Sequence, residues 1–412
     1  MVLTELAVFI LVYLGMFGGG LPFLQIDRTG VALLGAIALV AVEAVTPTEA
    51  VGSIHLPTII ILFSFMVISA HLQLSGFYDW VTRWLAALPL SPPALMGVLM
   101  AAAAVLSAVF SNDIICLAMA PILADATVRR GLDPVPFLLA LACAANIGSA
   151  ATLIGNPQNM LIGSTLGLSF SRYFLQAVGT VATGLVLTWL IVALETRGKW
   201  MRQPPMRTDP PSRREDVPPR VNVWQTTKGL GLTLALLVVF LVAPWPREVA
   251  AITAAGLLLM SRRMHSQMKL GLVDWELLVL FVGLFVVNHA LQATGLPARW
   301  LGDLAGGGLD LARPGPLFVT TFALSNVVSN VPAVMLLLSA STHPSAGILL
   351  ALVSTLAGNL LVVGSIANII VVGAAAARGI VIDWRTHARV GVPVTLATLS
   401  AAAFFLWLHA SS

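Results

Sequence analysis

The sequence contains few charged residues, and this shortage excludes an ordinary soluble protein. Charged residues make up 10% of its 412 positions and hydrophobic residues 58%, with a mean hydropathy of +0.94. Soluble domains carry roughly 25% charged residues. We therefore expect an all-helical polytopic membrane protein with on the order of ten crossings, because one crossing takes about 20 apolar residues.

Cysteines and enzyme motifs are also scarce. Cys116 and Cys143 are too few for a disulfide framework or a zinc cluster. We interpret them as small core hydrophobes, with thiol ligation of a soft ion as the alternative. The sequence has no P-loop, dinucleotide fingerprint, metal-spaced His/Cys cluster or G-x-S-x-G elbow. We expect no enzymatic activity, no cofactor, no metal site and no nucleic-acid partner.

The apolar runs form two sets separated by a stretch rich in proline and arginine, which is too polar and too proline-broken to span a membrane. The sequence thus predicts an N-terminal transmembrane repeat (residues 1–195), a cytoplasmic linker (196–228) and a C-terminal transmembrane repeat (229–412). Motifs recur between the halves: the pair Ser111-Asn112 in the first half matches Ser329-Asn330 in the second.

Two histidines, His71 and His289, are separated along the chain by the same interval as these Ser-Asn pairs. Both fall near the ends of apolar runs, each shortly before a Gln and a Gly. We interpret them as interfacial, hydrogen-bonded side chains and do not place them in the site.

The lysines and arginines are distributed unevenly between the two sides of the predicted topology. If the segment 94–128 enters and leaves on one side, each half has five crossings and the repeats are inverted. The cytoplasmic loops, linker included, then hold 18 of the 22 Lys and Arg residues, as the positive-inside rule requires. Both termini are predicted outside. Two full spans would return the chain to the same side, so charge does not decide whether the hairpin is re-entrant.

Asp113 is the one acidic residue predicted to lie deep in the membrane. It follows Ser111 and Asn112 in the middle of a long apolar run, where a carboxylate costs roughly 2.5 to 3.5 kcal/mol on insertion scales. We therefore expect Asp113 to face protein or water and to be part of a functional site. The alternative is a cap for the helix that begins at Ile114, and both roles can hold at once.

Two further segments are interrupted by glycine, asparagine or proline at matching places in the halves. The first contains Gly155-Asn156-Pro157-Gln158-Asn159, and the second contains Gly364-Ser365-Ile-Ala-Asn368. Broken spans in corresponding positions are typical of transporter binding sites, because unwound backbone can hold a small polar solute. Helix packing through small residues is the alternative reading.

At these residues the chain resembles the ion transporter superfamily, most of all its arsenical permease (ArsB-like) branch. It also shares the pattern of divalent anion/sodium symporters and NhaD-type antiporters. The resemblance implies two inverted repeats, each with about five transmembrane helices and a re-entrant hairpin, and broken helices at a midplane site. The positions that it implies for substrate or ion binding are Ser111, Asn112, Asp113, Asn156, Pro157, Asn159, Ser329, Asn330, Gly364, Ser365 and Asn368.

The expected function is proton-coupled efflux of arsenite and antimonite across the inner membrane, with Asp113 carrying the coupling proton. The dicarboxylate symporters end their triplet with threonine, whereas here Asp113 and Val331 stand at those positions. A di-anion beside Asp113 would meet like-charge repulsion of several kcal/mol at an effective dielectric constant near 20. A Na⁺/H⁺ antiporter and a Na⁺-coupled anion symporter remain alternatives, and a cytoplasmic ATPase or a second copy of the chain are possible partners.

Overall fold

The computed structural model describes residues 2–18, 20–21, 25–201, 221–243, 245–338 and 342–411. These residues form helices, turns and one short antiparallel ladder of β1 (Gly20–Leu21) with β2 (Ile26–Asp27). The helices of the first half are α1 (Val2–Gly18), α2 (Arg28–Ala41), α3 (Pro47–Ser53), α4 (Leu56–Leu74), α5 (Phe77–Ala86), α6 (Pro92–Phe110), α7 (Asn112–Arg129), α8 (Pro134–Ser149), α9 (Pro157–Thr165) and α10 (Phe170–Glu195).

The second half repeats this order of elements. Its helices are α11 (Val223–Val242), α12 (Arg247–Leu259), α13 (Ser266–Leu270), α14 (Trp275–Ala293), α15 (Leu296–Gly306), α16 (Pro314–Val328), α17 (Asn330–Leu338), α18 (Ala346–Ala357), α19 (Ile366–Ala376) and α20 (Trp384–Ser411), with a 3-10 turn (Val362–Gly364) before α19.

Six of the described helices are long and apolar enough to cross a membrane: α4, α6, α10, α11, α14 and α20. Six shorter apolar helices accompany them, α1, α2, α8, α16, α18 and α19. Proline occupies the first turn of α4, α6, α8 and α9, where its missing N–H leaves no hydrogen bond unmade. The chain is thus a multi-pass helical membrane protein, as the composition predicts.

The two halves match in backbone detail as well as in element order. Gly76 and Gly295 both have left-handed backbone (φ 80° and 71°) between equivalent helices, α4–α5 and α14–α15. Glycine adopts this conformation without steric penalty. Aligning Gly76 with Gly295 defines which residues of α4 and α14 are equivalent, and we call this alignment the register of the two helices.

Equivalent helices of the two repeats run in opposite directions. The His55 ring lies 6.4 Å from the Phe285 ring, and the Phe63 ring lies 5.9 Å from the Trp275 ring. The start of α4 therefore lies beside the end of α14, and the two helices are antiparallel. This arrangement is the inverted topology that the charge distribution predicts.

The pair α10 and α20 shows the same inversion near the ends of the repeats. Gly179 packs on the ring of Phe405, and Gly184 packs on Thr398. The two helices are antiparallel, because the residue numbers of successive contacts rise along α10 and fall along α20. The absence of a side chain at Gly179 gives the Phe405 ring room to approach α10.

The second half of the predicted linker overlaps the start of a helix. Residues 202–220 lie outside the described part of the chain. Helix α11 begins at Val223, before the predicted end of the linker at residue 228. Asn222 caps this helix, since its side chain accepts a hydrogen bond from Gln225 N at 3.2 Å. The polar run after Asn222 is therefore the first turn of a helix.

Candidate substrate site at the centre of the two repeats

The hairpin tips are sharp breaks between helices. Ser111 separates α6 from α7 with φ 74°, and Ser329 separates α16 from α17 with φ 77°. A positive φ is uncommon for a residue other than glycine, and such strained positions cluster at functional sites. The tips place Asn112 and Asn330 as the first residues of α7 and α17.

The broken spans are built alike in the two repeats. Asn156 caps α9 by accepting from Asn159 N at 2.9 Å, and Ser365 caps α19 by accepting from Ala367 N at 3.2 Å. Three residues after each cap, an asparagine side chain donates a hydrogen bond to a backbone carbonyl of the unwound segment. Asn159 donates to Thr152 O at 3.0 Å, and Asn368 donates to Leu361 O at 3.0 Å.

Glycines allow the unwound segments to fold back on the preceding helices. An added Cβ at Gly155 would collide with the backbone of Ser149, and one at Gly364 would lie 3.1 Å from Gly358 O. Pro157 follows as the first residue of α9. Gly155 and Gly364 therefore serve close packing of the backbone at these breaks.

Asn146, near the end of α8, is the centre of the polar network. Its Oδ1 accepts from Asn112 Nδ2 at 2.8 Å and from Ser365 Oγ at 3.0 Å. Its Nδ2 donates to Asn359 Oδ1 at 2.9 Å and to Asn368 Oδ1 at 3.3 Å. One buried amide thus joins the first hairpin tip to the broken span of the other repeat.

Thr355 on α18 has the equivalent role in the second repeat. Its hydroxyl accepts from Asn156 Nδ2 at 3.1 Å and from Gln158 Nε2 at 3.3 Å. The cap of each broken span therefore binds the preceding helix of the opposite repeat: Ser365 binds Asn146, and Asn156 binds Thr355. The centre of the molecule forms only when both repeats are present.

A second layer supports the broken spans. Tyr173 donates its hydroxyl proton to Ala150 O at 2.8 Å, and Nε2 of His387 lies 3.1 Å from Asn359 O. The two carbonyl groups are equivalent, since both follow the last turn of α8 or α18. Tyr173 also accepts from Asn159 Nδ2 at 3.1 Å, so the support reaches the network itself.

Asp113 lies beside the network in the first turn of α7. Its carboxylate makes an electrostatic contact with the backbone N–H of Ala367, at the start of α19, and its Oδ1 is buried without a protein hydrogen-bond partner. Two helix N-termini therefore face this carboxylate, and their partial positive charge favours an anion.

The far ends of the same two helices are also joined. Arg378 after α19 donates to both carboxylate oxygens of Asp125 on α7, at 2.7 Å from Nε and 3.3 Å from Nη2. Contacts at both ends hold α7 and α19 side by side and parallel. The position of Asp113 relative to the second broken span is fixed by this pairing.

Several polar atoms of the centre have no hydrogen-bond partner in the described part of the protein. They are Oδ1 of Asn159, Asn326 and Asn330 and Nδ2 of Asn359. Buried polar atoms are normally paired, so each unpaired one calls for an explanation. Each of these atoms could form a hydrogen bond with a polar solute that reaches it, the three oxygens as acceptors and Asn359 Nδ2 as a donor.

Pro157 and Gly364 shape the backbone at the helix breaks, and the other predicted site residues fall into four groups. Asn112, Asn156, Ser365 and Asn368 share one network, whereas Asp113 and Asn159 lie at its border. The Ser111 hydroxyl donates to Asn112 Oδ1 at 3.4 Å. Ser329 and Asn330 form the second tip, and Asn330 Nδ2 lies against Gly358. Solute binding by any of them remains a prediction.

Sequence reasoning missed Asn146, Thr355 and Asn359 as members of the network. Asn146 lies shortly before the first broken motif, and Asn359 follows Gly358 shortly before the second, so both offered a signal. Thr355 offered none beyond being a hydroxyl in an apolar run. Among the described residues, no group of three or more His, Cys, Asp or Glu side chains could hold a metal ion.

Two inverted helical repeats that meet at paired broken helices are an architecture of membrane transporters. A family model described as "Citrate transporter" (CitMHS) matches residues 9–357. The chain belongs to this family of transporters and is not an enzyme.

Relatives and a solved structure agree with this assignment. The silicon efflux transporter LSI3 of Oryza sativa subsp. japonica is 30% identical over 415 residues, which cover 85% of each chain. The putative transporter arsB of Dictyostelium discoideum is 31% identical over 171 residues, covering 42% of this chain and 30% of that one. These matches confirm the resemblance to the ion transporter superfamily.

The crystal structure of the Alcanivorax borkumensis YdaH transporter, described as having an unusual topology, superposes with a TM-score of 0.56. The alignment covers 100% of this chain and 98% of that chain at 16% sequence identity. At this identity the match shows a shared fold. The predicted fold class is confirmed.

Proposed function

We propose that this protein exports an uncharged, hydroxylated oxyacid, arsenous acid in the first place, in exchange for protons. The observation that carries the proposal is the charge of the site: the carboxylate of Asp113 borders a network of amides and hydroxyls, and a second carboxylate, Asp274, acts on Asp113 electrostatically. No lysine or arginine side chain bonds to that network among the described residues. A solute with many hydroxyl groups and no charge matches these donors and acceptors.

The carboxylate of Asp113 disfavours a multiply charged anionic substrate. At contact distance and an effective dielectric constant near 20, two like charges repel by about 4 kcal/mol. Within the described part of the network, no cationic side chain offsets this repulsion. An uncharged acid avoids it and can donate its own protons to Asn159, Asn326 and Asn330, whose buried oxygens have no protein partner.

Arsenous acid and orthosilicic acid share this chemistry, because both are uncharged at neutral pH and present several hydroxyl groups. The relatives named for silicon efflux and for arsB are consistent with the same class of solute. Antimonous acid belongs to the class too. We propose all three as candidates, with arsenous acid ranked first.

Asp113 is the group that we propose for proton coupling. It lies beside the central network with a buried Oδ1 that has no protein hydrogen-bond partner, and the carboxylate of Asp274 acts on it electrostatically. Solute release and protonation could alternate at this carboxylate, and the protein would then exchange solute for protons. A Na⁺/H⁺ exchange at Asp113 would use the same group and stays an alternative.

Anion transport is a second candidate, and a specific feature favours it. Four helices, α7, α9, α17 and α19, begin at the centre, and helix N-termini attract anions. The family description names citrate. Asn156 and Ser365 already cap two of these helices, and Asp113 lies on a third, so we rank this candidate second.

Uptake into everted membrane vesicles tests these alternatives together. Vesicles that contain the protein are given arsenous acid, orthosilicic acid, citrate or Na⁺, with and without a proton gradient. We expect gradient-dependent uptake of the uncharged acids and none of citrate. Citrate uptake without arsenous acid uptake would establish the anion candidate and reject ours.

We further propose that the protein lies in the inner membrane, with the linker in the cytoplasm and both termini outside. The excess of lysine and arginine on the predicted cytoplasmic side supports this orientation. A cytoplasmic ATPase and a second copy of the chain remain proposed partners. Co-purification with detergent-solubilised protein tests both.

A further inference from the structure

A cavity of about 310 Å³ lies between the two repeats, away from the central network. It borders the later turns of α9 and α17, whose first residues belong to the centre, and the facing ends of α4 and α14. Its polar lining residues are Ser53, His55, Thr165, Asn288, His289 and Gln292. The cavity therefore lies one to two helical turns from the centre, on one side of it.

The lining offers hydrogen bonds without charge. It contains amides, hydroxyls and two imidazoles but no lysine, arginine, aspartate or glutamate among the described residues. Two carboxylates act on the imidazoles electrostatically, Glu49 on His289 and Glu248 on His55. Carboxylates near the lining disfavour an anion, whereas the amides suit a solute that both donates and accepts hydrogen bonds.

Asn288 is held in place at the wall of this cavity. Tyr13 donates to Asn288 Oδ1 at 3.0 Å, and Asn288 Nδ2 lies 3.7 Å from Met335 Sδ. These contacts join α14 to α1 and to α17 of the second hairpin. A preorganised amide of this kind is what a polar solute site requires.

The equivalent residues of the first repeat are closed off instead. In the register set by Gly76 and Gly295, Asn288 corresponds to Ser69 and His289 to Ala70. Both equivalents are buried, with 0% and 2% exposure, and Ser69 Oγ lies 2.7 Å from Tyr78 Oη. Asn288 is itself buried, at 7% exposure, so the repeats differ at the following residues of α14, where His289 is half-buried and Gln292 is exposed.

We propose that this cavity is a second binding site for the uncharged oxyacid, on the route between the centre and one face of the membrane. The proposal rests on the proposed function, because it takes the same class of solute. Gln292 lies at the exposed mouth of the site and Asn288 lies deeper in its wall. Solute that leaves the centre along α9 and α17 reaches Asn288 first.

A single cysteine at the mouth tests the route. Both native cysteines are buried, so a bulky, charged thiol reagent will modify the introduced cysteine selectively. Gln292→Cys protein is labelled in detergent, reconstituted into liposomes and assayed for uptake of arsenous and orthosilicic acid. Gln176→Cys is the control, since Gln176 lines a separate cavity of about 550 Å³ beside α10 and α20.

We expect labelled Gln292→Cys to lose most of its transport and labelled Gln176→Cys to keep it. Arsenous acid should also slow the labelling of Gln292→Cys. Gln292→Leu should raise KM about two- to tenfold without changing the maximal rate, as expected for one lost hydrogen bond.

Two results would overturn the proposal in distinguishable ways. If unlabelled and labelled Gln292→Cys carry the acids equally, the cavity is not on the route, although the proposed function stands. If unlabelled wild-type protein carries neither acid, the proposed substrate class is wrong, and the proposed second site for that class is rejected as well.

Discussion

At the scale of single residues, Asp113 decides how solute movement is coupled. Asp113→Asn keeps the size and one oxygen of the side chain but removes its capacity to exchange a proton. We expect this variant to reach the membrane at normal abundance and to lose proton-driven accumulation of arsenous acid. Uptake into everted vesicles with an imposed pH gradient measures the loss, and residual flux should be downhill exchange.

The same variant distinguishes coupling from helix capping. Because asparagine caps helices about as well as aspartate, a pure cap would survive the substitution. Proton-driven uptake near the wild-type rate would leave Asp113 with a structural role alone. Asp125→Asn is the matched control, because Asp125 lies on the same helix and bonds Arg378 away from the centre.

The cysteines make a second prediction at this scale. Cys116 and Cys143 are buried, with 0% and 1% exposure, and an exporter must release As(III) faster than several thiolates would allow. We expect Cys116→Ser combined with Cys143→Ala to retain most arsenous acid uptake. Loss of uptake at unchanged membrane abundance would show that a thiol is a ligand.

Sequence reasoning singles out residues whose side chains conflict with their surroundings, and the role of Asp113 in transport stays a prediction. Asp113 is conspicuous because a carboxylate interrupts an apolar run. Asn146 is no more conspicuous than other asparagines, and its partners Asn359 and Asn368 lie 213 and 222 residues away. Contacts over such separations depend on how the repeats pack, which local composition does not encode.

At the scale of helices, close backbone contact between α6 and α8 yields a further prediction. An added Cβ at Gly148 would collide with the backbone of Ala104, whereas one at Gly373 in α19 would meet nothing within 4 Å. We expect Gly148→Ala to destabilise the protein by about 1–3 kcal/mol, as overpacking does. Thermal melting in detergent measures the change.

Gly373→Ala serves as the control for that measurement. Alanine favours a helix over glycine by about 1 kcal/mol, and α19 has room for the methyl group. Its melting temperature should equal or exceed that of the wild type. Equal melting of both variants would show that α6 and α8 can move apart without loss.

Helix breaks were predictable from sequence because glycine, proline and capping residues act locally. The tips at Ser111 and Ser329 and the caps at Asn156 and Ser365 follow such signals. The register between α4 and α14 was not predictable in this way. The left-handed glycines, Gly76 and Gly295, align the two helices so that His289 corresponds to Ala70, which is the neighbour of His71.

At the scale of the whole molecule, the inverted repeats and the charge bias predict which face is cytoplasmic. Lys199 and Arg299 are both exposed and are predicted on opposite sides. In intact cells, an impermeant thiol reagent should label Arg299→Cys and leave Lys199→Cys unlabelled. Labelling of Lys199→Cys alone would reverse the orientation while leaving the fold intact.

The inverted repeats were predictable because motif repeats report on duplication, whereas the membrane sides assigned from lysine and arginine stay a prediction. The packing of α4 against α14 then confirms the inversion. Substrate identity was not predictable to the same degree, since amides and hydroxyls bind many polar solutes. The cavity beside α9 and α17 depends on how these helices pack against α4 and α14, which no local motif encodes.

The exchange of hydrogen bonds between repeats has a consequence for biosynthesis. Asn146 leaves the ribosome 213 residues before its partner Asn359, a delay of about 10 to 40 s at roughly 5–20 residues per second. During that interval the Asn146 amide, which is buried in the folded protein, lies in a partly inserted chain without its final hydrogen-bond acceptors. Membrane chaperones or the insertion machinery must shield the first repeat until the second arrives, and nascent chains truncated before Asn359 should be degraded quickly.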